Sequence, residues 1–86
     1  MATITRELVL EIYDDVCVLL EKKLKISAAY IYQTDKLTSD LGFTKTGLRA
    51  FANDINFRFR LEISAAKVAV CKTVGDLCDL ILDEMP

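Results

Sequence analysis

The chain has 86 residues, of which 52% are hydrophobic and 28% charged, with a formal net charge of −2 and no histidine. This size and balance describe one globular domain rather than a disordered segment, small enough to bury only about 60% of its unfolded surface. No apolar run nears the roughly 20 residues that cross a bilayer, and residues 1–10 carry Arg6 and Glu7 without a secretory pattern; the expectation is a cytoplasmic monomer with no membrane span and no nucleic-acid partner.

The first element is a long helix from about Thr5 to Leu24. Leu8, Ile12, Val16, Leu19 and Leu20 recur at helical spacing, with Val9 and Tyr13 beside them. Glu7 and Glu11 near its start and Lys22, Lys23 and Lys25 at its end suit the helix dipole. Thr3 or Thr5 is the expected cap. Residues 25–43 show no sustained period. They mix turn formers (Ser27, Thr34, Asp35, Thr38, Ser39, Gly42) with spaced apolar anchors at Ile26, Ile31, Leu37, Leu41 and Phe43. The expectation is a long loop with one short turn, pinned to the core by those anchors.

A second helix is expected over Lys45–Phe59, capped by Thr44. Leu48, Phe51, Ala52, Ile55 and Phe59 form its apolar stripe, while Arg49, Asn53, Asn56 and Arg60 fall on the other side. Phe57 does not fit the stripe and reads as an edge or partner-facing residue. A brief extended link, Leu61-Glu62-Ile63, leads to a short helix over Ala65–Val70 capped by Ser64. The last helix begins at Thr73, where Thr73-Val74-Gly75-Asp76 has the form of a capping box. Val74, Leu77, Cys78 and Ile81 supply its inner face. The fold class is all-α: three longer helices and one short helix around a single core, with a long loop between the first two.

Cys17, Cys71 and Cys78 are an odd number with no C-x-x-C pair, and they sit among apolar residues. That argues against a disulfide framework or zinc site and for buried small hydrophobes. Without histidine the chain lacks the commonest general base and metal ligand. The acidic pairs Asp14-Asp15 and Asp83-Glu84 are adjacent on helices, so they point about 100° apart and do not converge on a reacting atom. An enzyme is not expected.

Charge is unevenly placed. Residues 45–62 carry a net +2, while residues 1–44 and 63–86 each carry −2. The second helix therefore presents Lys45, Arg49 and Arg58 against only Asp54, with Arg60 just beyond its end.

Several of these segments, in register, resemble the acyl carrier protein family from about Glu11 to Ile81 without a gap. Val16, Leu19, Leu20, Leu24 and Ile26 are similar to that family's first-helix core and exit. Leu37 and Asp40-Leu41-Gly42 resemble the end of its long loop. Phe51, Ile55 and Phe59-x-x-Glu62-Ile63 resemble its second helix and the link beyond. Thr73-Val74-Gly75-Asp76-Leu77 is similar to the start of its last helix almost letter for letter. The resemblance implies an acyl-carrier-like bundle associated with fatty-acid, polyketide or related acyl-transfer metabolism.

The family usually reads Asp-Leu-Gly-x-Asp-Ser-Leu before its second helix, and the serine hydroxyl carries 4′-phosphopantetheine. Here Thr44 stands at the aspartate, Lys45 at the serine and Thr46 at the leucine position. A lysine cannot form that phosphodiester, so the expectation is an interaction module without the arm. The alternative is attachment at an atypical hydroxyl, Thr46 or Thr44. The family's second helix is usually acidic and this one is basic, so the implied partner carries an acidic docking surface, as a synthase, transferase or ligase could, and meets Lys45, Arg49, Phe57 and Arg58. Lys45 in a first helical turn also opposes the dipole, at about a few tenths of a kcal/mol. A further option is a lipid held without covalent attachment among Leu48, Phe51, Ile55, Ile63, Val68 and Leu77, set against the simpler reading of these residues as core.

Overall fold

A computed structural model of the protein describes residues 6–85, and the expected Thr3 or Thr5 cap lies outside them. Four α-helices follow in order: α1 (Arg6–Leu24), α2 (Lys45–Phe59), α3 (Ala65–Ala69) and α4 (Val74–Glu84). The loop between α1 and α2 holds a single 3₁₀ turn, Ala28–Tyr30. No strand occurs among the described residues. This is the expected bundle of three longer helices and one short one. α1 packs mainly against α4, and α2 against α3.

The apolar stripes meet in one core. Ile12, Val16 and Leu20 enter from α1, Leu48, Phe51 and Ile55 from α2, Val68 from α3, and Val74, Leu77 and Ile81 from α4. The loop anchors Ile31, Leu37, Leu41 and Phe43 are buried with them, and Ile26 packs at the edge. Phe51 is fully enclosed, its ring 5.3 Å from that of Phe43 and tilted by 50°. Tilted pairs at this separation add to the burial of each ring. Leu48, Phe51, Ile55, Ile63, Val68 and Leu77, considered above as a lipid lining, all belong to this packed core.

The helix ends show why a long loop can fold without strands. A helix leaves its first four N–H groups without internal partners. In α4 all four, those of Thr73, Val74, Gly75 and Asp76, are met: Val74 donates to the Asp35 carbonyl (3.0 Å) and Gly75 to the Gln33 carbonyl (2.9 Å). Asp76 N–H donates to the Thr73 hydroxyl at 3.1 Å. The Asp76 carboxylate accepts in return from Lys72 and Thr73 N–H at 3.0 and 3.1 Å, completing the capping box. Those backbone donors hold the Asp76 carboxyl below its ordinary pKa. The loop is thus laid along the start of α4, with Leu37 N–H on the Lys72 carbonyl (2.8 Å) and an isolated antiparallel bridge between Lys36 and Thr73. A Cβ at Gly75 would stand 3.3 Å from the Gln33 carbonyl, so the small residue permits this approach. Tyr13 secures the loop from the other side, its hydroxyl donating to the Ile31 carbonyl at 2.5 Å.

Two residues expected elsewhere have structural roles. Asn56, placed by spacing on the outer side of α2, is half-buried, and its amide accepts from Ile63 N–H (2.8 Å) and donates to the Ile63 carbonyl (2.9 Å). Arg60 ends α2 in the left-handed conformation at φ 57°, as Lys25 does after α1 at φ 61°. The short helix α3 stops at Ala69, one residue before the expected end, with Val70 as its C-cap.

Candidate functional site

The segment Asp40-Leu41-Gly42-Phe43 is a device for aiming α2. The Asp40 carboxylate accepts from Lys36 N–H at 2.8 Å and closes the turn before it. Leu41 and Phe43 are buried on either side of Gly42, which takes φ 81°, a left-handed value that favours glycine. Phe43 N–H then donates to the Leu37 carbonyl at 2.9 Å. The chain leaves this turn at Thr44 in extended backbone, and its hydroxyl accepts from Gly47 N–H at 2.9 Å. Thr44 is therefore the N-cap of α2, with its side-chain oxygen engaged.

Lys45 follows as the first helical residue, exposed, with no acidic residue in the turn. Thr46 is exposed next to it, about 100° further around the helix. Leu48 N–H reaches the Thr44 carbonyl, whereas the N–H groups of Lys45 and Thr46 have no capping acceptor among the described residues. The start of α2 is thus less completely capped than that of α4.

Lys45 borders an open cleft of about 720 Å³. Lys36 and Thr38 come to it from the loop, Lys45 and Leu48 from α2, and residues 69–72 from the exit of α3. Lys36, Lys45 and Lys72 form no ion pair among the described residues, and no carboxylate lines the cleft. The apolar side includes Val70, 74% exposed, above Leu48, only 1% exposed. Cys71 is half-buried at the cleft, and its thiol donates to the Lys67 carbonyl at 3.5 Å. Burial pushes that thiol up to about 11, too high for a ready nucleophile at neutral pH. Cys17 and Cys78 are buried core residues, the second pushed up to about 12 by burial.

The four residues expected to meet a partner are divided along α2. Lys45 and Arg49 lie one turn apart, and both are exposed. Phe57 and Arg58 lie roughly 12–20 Å further along, at about 1.5 Å per residue. Phe57 is 89% exposed and lines a shallow depression with Arg58 and Arg60. Arg58 turns toward α1 and meets the Asp15 carboxylate at 2.7 Å. Its charge is therefore shared with an acid of the same chain. Lys23 meets Asp54 across the same helix pair at 3.8 Å, and Lys67 of α3 meets Glu84 of α4 at 2.7 Å.

Sequence spacing did not reveal Lys36 and Lys72. They stand 36 residues apart, and the bridge between Lys36 and Thr73 brings their segments together. The only local signal is the pair of acids four residues on, Asp40 and Asp76, each of which accepts a lysine's backbone N–H, and the Asp76 carboxylate is also attracted by the Lys72 charge. No group of three or more potential metal ligands occurs among the described residues, and none of their helices is long and apolar enough to cross a membrane.

Comparison with protein-family models and with curated proteins found no match to this chain.

Proposed function

We propose that the protein is an acyl-carrier-like interaction module that works without a phosphopantetheine arm and docks through the exposed face of α2 on an acidic partner surface. The observation that carries this reading is Lys45 at the first position of α2, where the carrier sequence it resembles has a serine, on a helix start aimed by Asp40-Leu41-Gly42-Phe43. The fold supports the reading by supplying the bundle, long loop and short third helix that the resemblance implies. Phe57 supports the docking face: an aromatic ring 89% exposed beside arginines is the composition of an interface anchor. Arg49 and Lys45 add positive charge along the same helix, which favours an acidic surface and disfavours a basic one. The partner class is a synthase, transferase or ligase of acyl-transfer metabolism, and the module's own role is binding rather than catalysis.

A working carrier with the arm on Thr46 is the second reading. Its support is that Thr46 is exposed on the first turn of α2, whereas the Thr44 hydroxyl is taken by the cap.

Quantitative affinity capture from the native host tests the docking face. Wild type is expected to retain an acyl-transfer enzyme that Arg49→Glu and Phe57→Ser each lose. Retention of the same enzyme by both variants would remove α2 as the docking element.

A further inference from the structure

We infer that the outward face of α1, together with the Tyr30-Ile31-Tyr32 segment beside it, is a second docking surface, fitted to a basic amphipathic helix of a partner protein. Of the large apolar side chains left exposed, Leu10, Val18, Tyr30 and Tyr32 all belong to these two segments, and Phe57 and Val70 lie elsewhere. Leu10 and Val18 are two turns apart on α1, about 12 Å along its axis at about 1.5 Å per residue, with exposed Asp14 between them. The loop lies against the same helix, since the Tyr13 hydroxyl donates to the Ile31 carbonyl. Ile31 is buried in extended backbone, so Tyr30 and Tyr32 on either side of it project outward. Exposed apolar residues scattered singly need no account, whereas aliphatic and tyrosine side chains gathered on one side of a small domain have the composition of an interface centre.

Charge selects the occupant. Residues 7–21 carry five acids and no base. Asp15 is taken by Arg58, but Glu7, Glu11, Asp14 and Glu21 are exposed and form no ion pair among the described residues. Lys22 and Lys25 add bases at the far end of the face. An acidic rim repels nucleic acid and anionic lipid. It also opposes isologous pairing with a second copy, which would bring the same acids together. It attracts lysine and arginine set around an apolar stripe, and a helix laid along α1 can meet Leu10 and Val18 with residues two turns apart. This inference does not rest on docking through α2, whose exposed face has the opposite sign.

The test is an amide NMR titration of the full chain with synthetic peptides: an amphipathic helix with leucines on one face and lysines on the other, the same helix with glutamine for lysine, and the lysine peptide with serine for leucine. The lysine–leucine peptide is expected to shift resonances in residues 7–21 and 29–33. It should bind about fivefold or more tightly than either control, since each lacks half of the recognition. Leu10→Gln and Tyr32→Ser should each weaken it by about fivefold or more, and Asp14→Lys by about two- to fivefold. Circular dichroism should stay unchanged, because all three side chains are exposed. Glu62→Lys, the same charge change beyond α2, should weaken it by less than about twofold. Arg49→Glu and Phe57→Ser, which test docking through α2, should not weaken it, so either surface can fail alone. Shifts that map to α2 or α4, a glutamine peptide that binds as tightly as the lysine peptide, or a combined Leu10→Gln and Tyr32→Ser variant that binds as wild type does would each overturn the assignment. Self-association of the full chain in sedimentation velocity, lost in Asp14→Lys, would overturn it too, in favour of a second copy on this face.

Discussion

The side-chain amide of Asn56 holds both backbone groups of Ile63, accepting from its N–H at 2.8 Å and donating to its carbonyl at 2.9 Å. The same residue's carbonyl accepts from Arg60 and Leu61 N–H as α2 ends. One asparagine thus closes α2 and fixes the link into α3. Asn56→Ala is expected to leave the N–H and carbonyl of the buried Ile63 without these partners and to cost about 1–3 kcal/mol. Urea denaturation measures it, and a loss no larger than that of Asn53→Ala, on the exposed face, would contradict this role.

Arg60 itself sits at φ 57°, where a side chain is strained and glycine is not. Arg60→Gly is expected to stabilise the domain by about 0.5–1 kcal/mol, the relieved strain exceeding the added freedom of the unfolded chain. The readout is the urea midpoint at constant m-value. A destabilised Arg60→Gly would show that the arginine side chain contributes more than its backbone strain costs.

The capping box of α4 gives stability a dependence on pH. Backbone donors hold the Asp76 carboxyl below its unfolded value. Its contribution is therefore complete above the ordinary carboxylate pKa of about 3.9 and disappears as pH falls through the lower folded value. Asp76→Asn should lower the melting temperature at pH 7, and the gap from wild type should narrow below about pH 4. Thr73→Ala, which removes the other half of the box, should cost about 1 kcal/mol. A gap for Asp76→Asn that stays constant from neutral pH to pH 2 would contradict the linkage.

Thiol chemistry separates the three cysteines by burial. Cys71 is half-buried with its thiol pushed up to about 11, and Cys17 and Cys78 are buried. Iodoacetamide at neutral pH is expected to label the native protein slowly, Cys71 first, with Cys17 and Cys78 reacting only on unfolding. Mass spectrometry of the time course reads the order. Rapid labelling of Cys71 would mean an exposed, activated thiol in the cleft.

Much of the fold was legible because it depends on local periods and caps. The stripes of α1, α2 and α4, and the caps Thr44, Ser64 and Thr73, follow from spacing and from short side chains that accept backbone N–H groups. The loop anchors were readable because Ile31, Leu37, Leu41 and Phe43 are large apolar residues among turn formers. What spacing could not show depends on contacts far apart in sequence. Arg58 read as a free cation, and only the packing of α2 on α1 brings it to Asp15. Asn56 read as an outer polar residue, because the return of the chain at Ile63 is not encoded in α2's own period. The meeting of Lys36 with Lys72 likewise depends on the pairing of loop and α4 start. Lys45, by contrast, was visible at once from the segment in which it stands.

The most direct test of the account is the intact mass of the wild-type protein and Lys45→Ser after incubation with coenzyme A and a broad-specificity phosphopantetheinyl transferase. The account predicts that wild type stays unmodified while Lys45→Ser gains one phosphopantetheine, because α2 presents residue 45 on an exposed first turn. An arm on the wild-type chain would contradict it and make the protein a working carrier, with fragmentation deciding between Thr46 and Thr44.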